Sequence, residues 1–128
     1  MKKCCLFFYP TVEEAVKNMR FELVEEYGKT FYNSDGTEKH NLHKWDAGQR
    51  ALVRCTSCGA LYLRQLSEFH DTIGGSNCYY TDYYQVESRE EALSINEEYD
   101  GSNLDKEFSG PTIKRSNTNS MEKWQWSE

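Results

Sequence analysis

The sequence predicts an α+β domain, in which an antiparallel sheet carries two capped helices and a zinc-knuckle hairpin. Residues 51–63 are two apolar runs of strand length on either side of Cys-Thr-Ser-Cys-Gly, as expected for a hairpin with a tight turn. Residues 78–86 are rich in tyrosine and read as a strand. Two Ser/Thr-x-x-Glu capping boxes, at residues 11–14 and 88–91, each open a helical pattern.

The first elements follow in order from the amino terminus. Residues 4–9 are apolar and predict a buried first strand. Thr11 then caps a helix, with Glu14 three positions later reaching back to the cap. Apolar side chains at three- and four-residue spacing give this helix one buried stripe: Val12, Ala15, Val16 and Met19.

The middle of the chain predicts two further hairpins and a second helix. Residues 42–45 and 50–54 pair about a turn at residues 46–49. Residues 61–69 form the next strand, which the tyrosine-rich strand follows. The second helix begins after Ser88 and ends near Tyr99, before Asp100-Gly101, where glycine suits the position after a helix.

The predicted domain covers residues 1–108, because the chain becomes polar after Phe108. Residues 109–128 are expected to form a polar tail. Trp124 and Trp126 are unfavourable to leave in water, so we expect the tail to dock through them on the domain or on a partner.

The net charge of −6 comes from one segment, residues 87–107, with eight acidic and two basic side chains. An acidic chain is a poor ligand for phosphate backbones, so no nucleic-acid partner is expected. The segment is either a solvated helix face or a docking surface for a basic protein. In the second interpretation Glu97, Glu98 and Asp100 belong to the partner interface.

Cysteine usage points to a reducing compartment. The five cysteines are an odd number, and the early apolar run, residues 4–9, is shorter than a signal peptide requires. No apolar run reaches the ~20 residues that span a bilayer, so no membrane partner is expected. We expect a cytoplasmic protein, in which paired cysteines indicate metal or redox chemistry more often than structural disulfides.

Cys55 and Cys58 are the strongest candidate metal ligands. A Cys-x-x-Cys turn directs two sulfurs to one point, as half of a tetrahedral zinc site does. The other available ligands are His40, His43, His70, Cys78 and the pair Cys4 and Cys5. Folding about the turn at residues 46–49 places His40 opposite Cys55, so the preferred set is Cys55, Cys58, His40 and His43. The competing interpretation is two reduced thiols in a hairpin turn.

The sequence supports a catalytic role for the cysteines less well than it supports a metal site. A thioredoxin-type pair lies at a helix N-terminus, whereas Gly-Ala-Leu-Tyr-Leu follows Cys58 here. Cys78, His70 and Asp71 have the residue types of a thiol nucleophile without a recognisable arrangement. There is no P-loop, no Gly-x-Gly-x-x-Gly and no Gly-x-Ser-x-Gly motif.

The tyrosine-rich strand has two faces. Tyr80, Tyr84 and Val86 share one, and Tyr79, Thr81, Tyr83 and Gln85 share the other. Core packing is one interpretation of these tyrosines. The alternative is that Tyr79 and Tyr83 lie on the solvent side as anchors of a partner interface, where tyrosine is enriched.

The Cys-Thr-Ser-Cys-Gly segment resembles the knuckle of zinc-ribbon proteins over about a dozen residues, without their second cysteine pair. In length, acidity, aromatic content and lack of a catalytic motif, the chain is similar to small acidic bacterial immunity proteins. That likeness implies a non-catalytic module that neutralises a toxin, such as a nuclease, by occluding its active site. The alternatives are a zinc-dependent or thiol-based enzyme and a zinc-ribbon-like protein associated with nucleic acid.

Overall fold

The computed structural model describes residues 1–27, 47–70, 77–98, 104, 108, 110–118 and 121–128. Within these residues, six strands form one antiparallel sheet in which each strand pairs with the next along the chain. The strands are β1 (Phe21–Glu26), β2 (Ala47–Cys55), β3 (Leu61–His70), β4 (Asn77–Val86), β5 (Thr112–Thr118) and β6 (Met121–Ser127). The predicted α+β class, with an antiparallel sheet and two helices, is confirmed.

Both helices begin at the predicted capping residues. Helix α1 (Val12–Lys17) follows Thr11, whose hydroxyl accepts a hydrogen bond from the Glu14 backbone N–H at 3.2 Å. Helix α2 (Arg89–Glu98) follows Ser88, whose hydroxyl accepts from the Glu91 N–H at 3.1 Å. These bonds satisfy backbone donors that lack a partner in the first turn of a helix.

The N-terminal segment covers one face of the sheet, which we call the N-terminal face. A 3₁₀ helix, Cys5–Phe8, and α1 lie over it, with α1 against β6. The core on this side is formed by Cys4, Leu6, Phe7, Ala15, Val53, Cys55, Tyr62 and Ile113. Because side chains alternate along a strand, the opposite side of the same strands supplies a second core.

Helix α2 covers that second side, the α2 face, above β2, β3 and β4. Its core contains Leu52, Leu63, Tyr84, Val86, Ala92 and Leu104. Arg50 is also buried here, and its guanidinium donates to the Gln65 side-chain oxygen at 2.9 Å and to the Asn96 carbonyl at 3.4 Å. These bonds connect β2, β3 and α2 beneath the helix.

The predicted first strand is wrong. Residues 4–9 do not pair with the sheet, and Cys5–Phe8 forms a 3₁₀ helix instead. Leu6 and Phe7 are buried by lying across the N-terminal face, so the run is apolar without being a strand. A strand would have sent the Cys4 and Cys5 side chains to opposite sides.

The turn predicted at residues 46–49 is also wrong where it can be compared, because Ala47–Cys55 is one continuous strand. Strand β2 pairs with β3 without interruption from Arg54↔Leu61 to Ala47↔Glu68. The strand therefore continues through Gly48, which the predicted turn contained. The other half of that hairpin, residues 42–45, lies outside the described residues. Strands β3 and β4 confirm the two predicted strands that follow.

The segment expected as a polar tail contains the last two strands. Strand β5 pairs with β4, and β6 pairs with β5. Polar side chains occupy these strands because much of their surface faces water. Trp124 and Trp126 lie on β6, where both pack against the core of the N-terminal face. The rings of Phe7 and Trp126 lie 5.6 Å apart.

Candidate metal centre

The first half of the site is the turn between β2 and β3, residues 55–60, which we call the knuckle turn. The Cys55 N–H donates to the Ala60 carbonyl and the Gly59 N–H to the Cys55 carbonyl, both at 2.8 Å. Gly59 has a φ of 83°, a conformation that residues with a Cβ rarely adopt. This backbone brings the side chains of Cys55 and Cys58 to the same side of the turn.

The second half is the N-terminal arm, residues 1–8. Gln85, buried on β4, accepts a hydrogen bond from the Cys4 N–H at 3.2 Å and donates to the Lys2 carbonyl at 2.7 Å. Leu6 and Phe7 then enter the core, which fixes the direction of the arm. Between these two anchors, Cys4 and Cys5 are held against the knuckle turn.

The four sulfurs form one cluster. The Sγ atoms of Cys4 and Cys58 lie 3.5 Å apart, those of Cys5 and Cys55 lie 3.8 Å apart, and all four lie within 4.8 Å of one another. A tetrahedral zinc ion with Zn–S bonds of about 2.3 Å would require sulfur separations of about 3.8 Å. The cluster therefore has the dimensions of a tetrathiolate metal site.

Burial and hydrogen bonding shift the pKa values of Cys4, Cys5 and Cys58 in different directions. Burial raises the pKa of Cys4 well above its usual range and that of Cys5 to about 11. Burial also acts to raise the pKa of Cys58, but hydrogen bonds from the backbone N–H groups of Cys5 and Ala60 and from the Cys4 and Cys5 thiols lower it to about 7. The Cys5 N–H lies 3.5 Å from the Cys58 sulfur. Cys58 therefore ionises more easily than Cys4 or Cys5.

The donor set determines which metals fit. Four cysteine thiolates in a tetrahedron suit zinc or an iron–sulfur type centre, whereas hard cations such as magnesium and calcium take oxygen ligands. The structure shows four cysteines close enough to hold a metal ion. Four protein ligands also fill a tetrahedral coordination shell, which is the arrangement of structural zinc sites.

The predicted ligands Cys55 and Cys58 both lie in this cluster. His40 and His43 lie outside the described residues, so their part in a metal site stays a prediction. Cys78 lies elsewhere, where its sulfur accepts a hydrogen bond from the Thr118 hydroxyl at 3.4 Å.

Cys4 and Cys5 complete the quartet in the described residues, although the preferred set passed over them. The available signal was the adjacent cysteine pair itself. The strand expected for residues 4–9 argued against a shared site for Cys4 and Cys5, because a strand directs two neighbouring side chains to opposite faces.

The residues proposed for a partner interface differ in exposure. Tyr79 is 43% exposed, and Glu97 and Glu98 are exposed at the end of α2. Asp100 lies outside the described residues. Tyr83 is half-buried on the N-terminal face, with its ring 5.0 Å from that of Phe21, and burial raises its pKa. Tyr83 is therefore in contact with the core, and its part in a partner interface stays a prediction.

Comparisons with known protein families, with curated proteins and with solved structures find no match for this chain. Among the described residues, no helix has the length and apolar character needed to cross a membrane. The cysteine cluster is therefore the feature of the described residues from which a function can be inferred.

Proposed function

We propose that this protein is a non-catalytic protein-interaction module whose fold is stabilised by a tetrathiolate zinc centre. The observation that carries the proposal is the contact of four cysteine sulfurs from two distant segments, at separations suited to a tetrahedral ion. Cys4 and Cys5 would hold the metal from the N-terminal arm, and Cys55 and Cys58 from the knuckle turn.

A structural role for the metal follows from the ligand count. Catalytic zinc sites keep one coordination position open for water or substrate, whereas four cysteines leave none. The low accessibility of Cys4 and Cys55, which are 1% and 0% exposed, supports the same role. Bound zinc would neutralise part of the charge of four thiolates and hold the arm on the sheet.

The stabilisation would be large for a domain of this size. A structural zinc ion contributes about 10 kcal/mol or more in small zinc-binding domains, which is comparable to the whole stability of many domains. Here it would fix the arm that carries Leu6 and Phe7 into the core of the N-terminal face. Loss of the metal should therefore loosen this side of the sheet first.

Cobalt substitution tests the coordination directly. Adding Co²⁺ to the metal-free protein should give the sulfur-to-cobalt charge-transfer bands and intense visible bands of a tetrahedral thiolate complex. Cys55→Ser/Cys58→Ser should abolish these bands, and Cys78→Ser should leave them unchanged as a matched control. Bands that persist in the double variant, or that are absent from the wild-type protein, would reject the proposed site.

For the partner we propose a basic protein, and within that class a nuclease toxin that an immunity-type module would neutralise in the cytoplasm. What supports this is the net charge of −6 and the exposed Glu97 and Glu98 on α2. Complementary charge mainly accelerates association, since rim charges steer the encounter. Tyr79 is the one proposed aromatic anchor that is exposed.

Co-expression with a candidate toxin tests this partner class. Protection should occur, and Glu97→Lys/Glu98→Lys should slow association and reduce its dependence on salt. The matched control is Glu13→Lys/Glu26→Lys, which makes the same change in net charge at exposed positions on the other helix and the edge strand. Absence of protection would reject the immunity role, and equal effects of both double variants would reject α2 as the interface.

A further inference from the structure

The distances between the sulfurs also indicate which disulfides would form if the cluster were oxidised. Two close sulfur–sulfur contacts join the N-terminal arm to the knuckle turn: Cys4 with Cys58 at 3.5 Å and Cys5 with Cys55 at 3.8 Å. We propose that the cluster is a site of oxidation by hydrogen peroxide, in which a Cys4–Cys58 disulfide forms first and a Cys5–Cys55 disulfide second. This inference uses the same four sulfurs as the proposed function but requires no bound metal.

Accessibility sets the order of reaction. Cys58 is exposed, Cys5 is partly buried, and Cys4 and Cys55 are buried. A cavity of about 370 Å³ reaches Cys58 and is also lined by Lys2, Lys3 and Gly59, so a small oxidant has a path to this sulfur. The Cys5 N–H donates to the same sulfur, and a donor there stabilises negative charge on it. Cys58 is therefore the sulfur that peroxide meets first.

The chemistry balances with peroxide as the only co-reactant. The Cys58 thiolate attacks one peroxide oxygen, the O–O bond breaks, and the departing hydroxide takes up a proton to become water. This step leaves a sulfenic acid on Cys58. The Cys4 thiol then loses its proton as its sulfur attacks the Cys58 sulfur, the S–O bond breaks, and the departing hydroxide takes up that proton and leaves as the second water.

The first cycle thus oxidises two thiols to one disulfide and reduces one peroxide to two waters. A second peroxide oxidises Cys5 and Cys55 in the same way. If zinc is bound, it leaves as its thiolate ligands are consumed, and solvent supplies the protons that the thiolates lack.

The pairing has a structural consequence. Disulfides within each segment, Cys4–Cys5 or Cys55–Cys58, would leave the arm without a link to the sheet. The proposed disulfides connect the same two segments that the metal would connect, so the oxidised protein keeps its arm over the N-terminal face. Oxidation would replace the metal link between the arm and the sheet with disulfide bonds and would not release the arm.

Peptide mapping of the full-length protein tests this pairing. Metal-free and as-purified samples are treated with hydrogen peroxide, the remaining thiols are blocked with N-ethylmaleimide, and the protein is digested with trypsin. Cleavage after Lys3, Lys17, Arg54 and Arg64 places each cysteine pair on its own peptide. We expect the two peptides to be joined, with loss of first two and then four of the five thiols, while Cys78 stays alkylated.

Two paired variants separate the disulfides. Cys5→Ser/Cys55→Ser retains Cys4 and Cys58 and should join the peptides faster than Cys4→Ser/Cys58→Ser, which retains Cys5 and Cys55. Disulfides confined to single peptides, overoxidation of Cys58 without a disulfide, or the opposite order of the two variants would overturn the inference. Joined peptides in a protein that never binds metal would support it while rejecting the zinc proposal, so the two can fail separately.

Discussion

The sulfur atoms of Cys4 and Cys58 lie 3.5 Å apart although 54 positions separate the two residues in the chain. This contact brings the N-terminal arm to the turn between β2 and β3. Closing a loop of that length costs conformational entropy, which a metal or a covalent bond can offset. A metal ion bound by the four cysteines would supply such a link between the two ends of this loop.

Replacing one of the four proposed metal ligands should strongly destabilise the protein. Cys55→Ser removes one of four sulfurs from a fully buried position, and loss of a zinc ion worth about 10 kcal/mol should lower the melting temperature or prevent folding. Cys78→Ser keeps a hydrogen-bond acceptor near Thr118 and should change stability by less than about 1 kcal/mol. Thermal denaturation of both variants followed by circular dichroism measures the difference. Equal melting temperatures would contradict a stabilising metal.

The histidine ligands predicted from the sequence can be separated from the cysteine quartet by substitution. If Cys4, Cys5, Cys55 and Cys58 hold the metal, His40→Ala/His43→Ala should retain a full complement of it. Cys4→Ser/Cys5→Ser should lose it. Metal content of the two variants, measured under identical purification, decides between the sets, and the reverse result would restore the Cys55, Cys58, His40 and His43 site.

The metal-free protein should show one thiol far more reactive than its neighbours. The pKa of Cys58 is lowered to about 7 and that of Cys5 is raised to about 11, so near pH 8 Cys58 is mainly thiolate and Cys5 mainly thiol. Alkylation by iodoacetamide should modify Cys58 first, and its rate should rise through a midpoint near pH 7. Mass spectrometry of short reaction times gives the site. Preferential modification of Cys5 would contradict the assigned environments.

The lowered pKa of Cys58 also determines how this residue makes the stability of the metal-free protein depend on pH. The Cys58 thiolate contributes stability above the pKa of an unfolded cysteine, and this contribution is lost as the pH falls through the folded value near 7. Bound metal would extend the same trend, since protons compete with it for the sulfurs.

Tyr83 and Tyr79 on β4 should contribute differently to the free energy of unfolding. Tyr83 packs on Phe21 and Tyr62, so Tyr83→Ala should lower the free energy of unfolding by about 3 kcal/mol. Tyr79 is exposed, and Tyr79→Ala should change it by less than about 0.5 kcal/mol. Urea denaturation measures both values. A similar cost for the two substitutions would contradict the different burial of the two side chains.

Local patterns predicted much of the fold. Thr11 and Ser88 identified both helix starts, because capping depends on residues only three positions apart. The face alternation in β4 was also correct, since Tyr84 and Val86 pack under α2 while Tyr83 packs on the N-terminal face. The β5–β6 hairpin was missed because its strands are polar and half-exposed, so hydrophobic periodicity gave no signal there.

Two of the four clustered cysteines were among the ligands predicted from the sequence. The Cys55 and Cys58 pair could be recognised because its ligands and its turn are adjacent in sequence. Cys4 and Cys5 could not be assigned to it, since their position depends on long-range contacts: the bonds to Gln85 and the burial of Leu6 and Phe7. Neither contact is visible as a spacing in the chain.

Native mass spectrometry of the wild-type protein, purified without added metal, tests for the tetrathiolate zinc centre. We expect that each folded chain carries about one zinc ion, that acid denaturation removes it, and that Cys4→Ser/Cys5→Ser never acquires it. A wild-type protein that is folded and metal-free, and that binds no zinc when zinc is supplied, would contradict the tetrathiolate centre.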